Sequence, residues 1–143
     1  MKRHLAALVL SLAILTPASL AVSAGTVLAD NCNTPVAQIN QNGSYTLVST
    51  GSIYCGWTGV GSMYVDVVLQ RCTVDVWGCR SWEWYHDWGW EGKQGYGQLT
   101  KSHSQSSVMG QTRYRTYAMF HIYKTDGSLL LDTWALSNEY WVS

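Results

Sequence analysis

The residues best suited to chemistry form one aromatic block, residues 81–90, which reads Ser-Trp-Glu-Trp-Tyr-His-Asp-Trp-Gly-Trp. Alternate positions of an extended strand share one face. The spacing therefore predicts that one side of a strand carries Trp82, Trp84, His86, Trp88 and Trp90. Flat aromatic rings can stack on the apolar C–H faces of sugars, or they can fill a core, where one tryptophan buries up to ~250 Å². The block thus has two interpretations, a ligand-binding surface and a hydrophobic core.

Glycine spacing separates these two interpretations along the block. Trp82 and Trp84 lie in an unbroken run that is typical of a strand, which favours core positions for both. The last two tryptophans flank Gly89 and begin a stretch, residues 87–97, whose glycine density predicts a surface loop. We expect a protein that binds a glycan or another cell-surface polymer. The predicted ligand-binding residues are Trp88, Trp90, Tyr85 and Trp57.

Acidic side chains in and beside the block suggest a third class, a small hydrolase. Glu83 with Asp87 or Glu91 could supply a carboxylate pair of the kind that glycosidases use. Acidic residues on a strand are mostly solvated, however, and no sequence feature marks a raised pKa. We therefore expect a binding protein rather than an enzyme, with no catalytic residues.

The histidine spacing offers no metal site. Three histidines follow one another at separations of 17 and 18 positions, which match no helix-borne metal motif. They are His86, His103 and His121. We expect no metal and no cofactor.

A protein-interaction or structural module is the second hypothesis, for example a secreted inhibitor, a toxin-like factor or a coat component. Its surface would be an exposed aromatic face or sheet edge that includes Arg113, Arg115, Tyr117 and Tyr123. Nucleic acid is not an expected partner, because the chain has only nine basic residues against nine acidic ones and shows no basic stripe. No motif in the chain is specific enough to identify a family.

The first 29 residues have the layout of a secretory signal peptide. A basic start at residues 2–4 precedes an apolar run at residues 5–15, and small-residue cleavage signatures end at Ala24 and Ala29. The apolar run is shorter than the ~20 residues that span a bilayer. We expect removal of residues 1–29 to leave residues 30–143 as one β domain, secreted to the extracellular space and without a membrane span.

Four cysteines follow the predicted signal peptide, and an even number in a small exported domain indicates two disulfides. We favour Cys72–Cys79, because the short segment between them can fold back as a loop, and this leaves Cys32–Cys55. A zinc site is the alternative. It is disfavoured because no Cys-x-x-Cys occurs and the gaps of 23, 17 and 7 positions fit no zinc knuckle.

Period-2 alternation predicts an all-β fold, a small antiparallel β-sandwich or barrel stapled by the disulfides. The clearest strand is residues 63–72, in which the odd positions from 63 to 69 are apolar. Asp126-Gly127 predicts a type I′ hairpin between residues 112–124 and 128–136. The predicted core face of the first of these strands comprises Tyr114, Thr116, Ala118, Phe120 and Ile122. A weaker hairpin turns at Asn42-Gly43 with residues 45–49 as its second strand, residues 56–61 form a loop, and residues 134–141 form the last strand.

Overall fold

The computed structural model describes residues 31–75, 78–79, 81–107 and 112–142. The predicted signal peptide lies outside these residues. The described residues form nine strands, without a helix among them, and every strand pairing is antiparallel. The strands are β1 (Val36–Gln41), β2 (Thr46–Cys55), β3 (Val60–Asp75), β4 (Gly78–Cys79), β5 (Glu83–Gln94), β6 (Gly97–Ser106), β7 (Thr112–Lys124), β8 (Leu129–Leu136) and β9 (Tyr140–Val142).

The strands form two sheets packed face to face, as in a β-sandwich. The smaller sheet has the order β1-β2-β6. In the larger sheet the long strand β3 pairs with β7 on one side and with β5 and β4 on the other, while β7 also pairs with β8 and β9. Neither sheet closes on itself within the described residues, so the all-β prediction is confirmed in its sandwich form.

The core lies between the sheets and consists of the apolar faces that alternation predicts. The odd positions of β3 from Met63 to Leu69 are almost completely buried, and so are all five predicted core positions of β7. Leu47, Ile53 and Leu99 of the smaller sheet are also buried. At Gly51 an added Cβ would lie 2.9 Å from the Cβ of Ala118, so glycine here permits the sheets to approach closely.

Both predicted disulfides are confirmed. Cys32–Cys55 ties the start of the described chain to the end of β2, and backbone hydrogen bonds from Asn33 and Gly56 flank it. Cys72–Cys79 joins β3 to β4. Two disulfides fit a protein that folds in an oxidising compartment outside the cytoplasm.

The hairpin at Asp126-Gly127 is confirmed, but its type I′ turn is wrong. The described residues have positive φ only at glycines, so Asp126 does not adopt the conformation that a type I′ turn requires, whereas Gly127 has φ +83°. Lys124 and Ser128 close the turn through a backbone hydrogen bond of 2.8 Å, and the Gly127 amide donates to the Lys124 carbonyl. This is a three-residue connection with a left-handed glycine at its end, which also fits the register irregularity at Ile122 and Tyr123.

The predicted loop at residues 87–97 is also wrong, because most of it belongs to β5. Its glycines serve the strand: Gly89 has φ +73° at a bulge, and Gly92 lies under the ring of Tyr64, where a Cβ would clash. Only the short turn around Gly95 separates β5 from β6. The predicted last strand, residues 134–141, is likewise divided between the end of β8 and the start of β9.

Two further turns agree with the sequence. The Asn42-Gly43 hairpin is present with φ +77° at Gly43, although its second strand extends from Thr46 to Cys55. The connection between β2 and β3 covers most of the predicted loop at residues 56–61.

Candidate functional site

Two bulges in β5 decide which of its aromatic rings faces solvent. Pairing with β3 runs from Asp66–Trp90 to Val68–Asp87, so β5 contains one extra residue in this interval. A second extra residue, Tyr85, lies between the partners of Leu69 and Gln70. Each bulge shifts the alternation by one position. The prediction that the whole block shares one face is therefore wrong.

Trp84 and Trp90 point to the outer face of the larger sheet. Their partners on β3 are Gln70 and Asp66, which lie on the face opposite the core. Trp84 is 55% exposed and Trp90 is 45% exposed, so the predicted core position of Trp84 is wrong. Trp82 belongs to neither core cluster. It is half-buried because the guanidinium of Arg115 lies over its ring, 4.2 Å from the centroid.

Trp88 and Tyr85 point inward and connect the two sheets. Trp88 packs against both core clusters and stacks on His103 of β6, with ring centroids 4.9 Å apart. Tyr85 packs edge-on against Tyr114, and its hydroxyl donates a 3.2 Å hydrogen bond to the Ser106 carbonyl. Both side chains hold the sandwich together.

The four predicted ligand-binding residues therefore do not form one surface. Trp57 lies in the connection between β2 and β3 and is 36% exposed, with its ring over Gly59. Of the four, Trp90 alone lines the depression described next.

An open depression of about 540 Å³ lies on the outer face of the larger sheet. We call it the aromatic box, and its lining residues are Ser62, Tyr64, Trp90, His121, Tyr123 and Gly127. Strand register assembles it, because Tyr64 pairs with His121 and Ser62 pairs with Tyr123 across β3 and β7. Sequence analysis missed Tyr64 and His121, since only the pairing of distant strands brings them to Trp90.

One pair of rings in the box is stacked, and two other pairs are nearly perpendicular. Trp90 stacks on His121 with centroids 4.1 Å apart and an interplanar angle of 22°. Tyr123 is perpendicular to His121 at 89°, and Tyr64 is nearly perpendicular to Tyr123 at 79°. The depression is therefore enclosed by π faces and ring edges rather than by aliphatic side chains.

A carboxyl pair lies beside the box. Asp66 is only 4% exposed, and its Oδ1 has no hydrogen-bond partner among the described residues. Burial, followed by the charge and the hydrogen bond of the adjacent Asp87, together raise the pKa of Asp66 from 3.8 to about 6. Asp87 also accepts a 2.7 Å hydrogen bond from the Gly89 amide, at the bulge just before Trp90.

Further acidic groups surround the box. Asp132 Oδ1 lies 3.4 Å from His121 Nε2. Asp126 precedes the lining residue Gly127, and hydrogen bonds from Ser128 lower the pKa of its carboxyl. Neither lysine nor arginine is among the lining residues within the described part of the chain. The surroundings of the box are consequently acidic.

The acidic residues that sequence analysis considered for catalysis are separated from one another. Glu83 pairs with Arg71 at 2.6 Å, and Asp87 pairs with Asp66. Glu91 contacts Lys101 at 2.8 Å and His103 at 2.7 Å, and the Lys101 hydrogen bond is the main cause of its lowered pKa. Asp66, the buried member of the pair with Asp87, was not among these candidates because it lies in a strand distant in sequence from the aromatic block.

The three histidines lie apart as well. His121 is on the outer face, whereas His86 and His103 both pack on Trp88. Among the described residues, no group of three or more histidine, cysteine or carboxylate side chains could hold a metal ion.

The arginines of the second hypothesis are engaged within the chain. Arg113 binds Glu139 at 2.9 Å and lies over the ring of Trp141. Arg115 donates a 2.7 Å hydrogen bond to Gln70 in addition to covering Trp82, and its burial lowers its pKa.

Comparisons with known proteins matched the chain to no family model, no curated protein and no solved structure. The described residues include no helix with the length and apolarity of a membrane span.

Proposed function

We propose that this protein is a secreted, non-enzymatic binding protein that recognises a polysaccharide or related cell-surface polymer. The ligand would lie along the outer face of the larger sheet. The observation that carries the proposal is the pair of exposed indole rings, Trp84 and Trp90, on that one face. Their β3 partners are four residues apart, which corresponds to ~13 Å along the strand, so the two rings can contact different units of a chain.

The remainder of this face supports the proposal. Its central residue Val68 is fully buried although it belongs to neither core cluster, so the sheet is closely packed on this face as well. A surface packed in this way is held in place before a ligand arrives, which lowers the entropy cost of binding. The exposed carboxyl of Asp87 and the tyrosines Tyr64 and Tyr123, which line the box with Trp90, offer partners for sugar hydroxyls.

The test is retention of the purified domain, residues 30–143, on insoluble cellulose, chitin and cell-wall peptidoglycan. Trp84→Ala and Trp90→Ala should each reduce retention roughly tenfold, since one stacking contact contributes about 1–1.5 kcal/mol. Their melting temperatures should remain within about 3 °C of the wild type, because both rings are exposed.

The matched control is Tyr45→Ala, which removes an aromatic ring 51% exposed at the β1–β2 turn. This variant should bind like the wild type. The proposal would be contradicted if the wild type bound none of the three polymers. It would also be contradicted if both tryptophan variants were retained as well as the wild type.

A further inference from the structure

We propose that the aromatic box binds an organic ammonium group carried by the polymer, either a quaternary ammonium substituent or a protonated amino sugar. This inference rests on the proposed function and specifies the ligand chemistry at one end of the binding face.

The geometry of the rings in the box suits a cation. A cation is attracted to the negative π face of an aromatic ring when it lies within ~6 Å of the ring centroid. In the box, the Tyr123 ring stands nearly perpendicular to the Tyr64 ring and to the His121 ring, on which Trp90 stacks, so ring planes of two orientations line one depression. A compact group with positive charge on all sides can contact several such rings together, whereas a flat sugar ring stacks on only one.

The carboxylates around the box favour a positively charged ligand. Asp132 contacts the box residue His121, Asp126 adjoins the box residue Gly127, and Asp66 pairs across the strands with Trp90. Lys124 begins the turn that contains Gly127, but it does not line the box. Carboxylates in this arrangement favour a cation and disfavour phosphate, sulfate or uronic acid groups.

The carboxyls of Asp126 and Asp132 are accessible to a ligand. Asp126 is exposed, and its pKa is lowered, so it is ionised at neutral pH. Asp132 is also exposed and lies 3.4 Å from His121. The charge of Lys124 contributes to the lowered pKa of Asp126, but Lys124 does not line the box.

The experiment compares choline with its neutral isostere 3,3-dimethylbutan-1-ol, in which carbon replaces the charged nitrogen. Binding to the intact domain is followed at pH 7.5 by tryptophan fluorescence and by NMR shifts of the indole N–H groups. Choline should bind roughly tenfold more tightly than the isostere, in keeping with a cation–π contribution. Equal affinity for the two compounds, or no binding of choline, overturns the quaternary ammonium form of the inference.

Variants locate the site. Tyr123→Leu and Trp90→Leu retain apolar bulk but remove a π face, and each should weaken choline binding roughly tenfold. Tyr45→Leu removes an exposed ring at the β1–β2 turn, outside the binding face, and should leave choline binding unchanged. Unchanged binding in both box variants, when thermal melts show that they are folded, would overturn the assignment. If a variant fails to fold, Asp132→Asn tests the same site through its charge and should weaken choline binding about threefold.

Two further ligands distinguish the sources of the ammonium group and separate this inference from the proposed function. Deacetylated chitosan oligomers bear protonated amines, whereas chitin oligomers of the same length do not. Preference for chitosan over chitin supports an amino-sugar source, and preference for choline over chitosan supports a quaternary source. Equal binding of chitin and chitosan, together with no choline preference, would overturn the inference while leaving polysaccharide binding in place.

Discussion

Asp66 and Trp90 lie directly opposite each other on β3 and β5, so the one buried carboxyl among the described residues adjoins an exposed indole of the binding face. Asp87 joins the two, because its side chain contacts Asp66 and accepts a hydrogen bond from Gly89 at the bulge that precedes Trp90. The charge of this carboxyl pair is therefore coupled to the segment of β5 that positions the ring.

The first prediction is that folding stability falls as the pH rises through about 6. The folded-state pKa of Asp66 is about 6 against 3.8 unfolded, so the folded state binds this proton more tightly. Its contribution is complete below pH ~4 and is lost as the pH rises through ~6, a difference of about 3 kcal/mol. Urea unfolding of wild type and Asp66→Asn at pH 4.5 and pH 8 should show about 2 kcal/mol of this difference, because the carboxyl of the unfolded chain is already mostly ionised at pH 4.5. The variant should lose most of the pH dependence.

Asp87→Asn serves as the companion variant. Burial is the largest cause of the raised pKa and the charge of Asp87 comes second. Removing that charge should therefore reduce the pH dependence without abolishing it. An Asp66→Asn profile that coincides with the wild type would show that another group is responsible.

The sequence predicts the core better than the surface, and the reason is physical. Alternation identifies the core positions of β3 from Met63 to Leu69 and all five of β7, because a one-residue slip would expose a whole apolar set. In β5 the same rule fails, because two extra residues each invert the alternation, and the sequence near Trp88 and Tyr85 carries no distinctive signal for a bulge. Gly89 and Gly92 favour a loop when only neighbouring residues are considered. In the folded protein both lie within β5, which pairs with β3.

The sequence likewise identifies some residues of the candidate site and not others. Trp90 is recognisable as a surface aromatic from its neighbours in sequence. Asp66 and His121 are not, since they reach it only through the register of three strands. Long-range pairing, rather than any local pattern, brings the box together.

The second prediction concerns the two tryptophans on opposite faces of β5. Trp88→Ala should destabilise the domain by about 3 kcal/mol, because this ring packs against both core clusters and stacks on His103. Trp84→Ala should cost less than about 1 kcal/mol, because its ring is exposed. Chemical unfolding of the two single variants measures the difference, and a larger cost at Trp84 would contradict the assignment of faces.

The third prediction is that the two disulfides contribute unequally. Chain entropy assigns about 3.5 kcal/mol to a crosslink spanning the 23-residue separation of Cys32–Cys55 and about 2.5 kcal/mol to the 7-residue separation of Cys72–Cys79. Cys32 and Cys55 also belong to the main core cluster, which adds to the first value. Unfolding of the two double Cys→Ser variants should show the larger loss for the first pair, and the reverse order would contradict it.

The last prediction uses Gly92 to disturb the box without altering any ring. A Cβ at this position would lie against the Tyr64 ring and 2.6 Å from the Met63 carbonyl oxygen, so Gly92→Ala must push Tyr64 out of place. Overpacking of this kind costs about 1–3 kcal/mol. Because Tyr64 is a wall of the box, polymer retention should fall together with stability.

Gly43→Ala is the matched control for this substitution. Gly43 has φ +77° in the β1–β2 turn, and no atom lies within 4 Å of an added Cβ. Alanine there should cost about 1–2 kcal/mol of backbone strain alone and should leave retention on the polymer unchanged. Thermal melts and retention assays on both variants compare them at similar losses of stability. Equal loss of retention in the two variants would mean that binding follows global stability rather than the position of Tyr64.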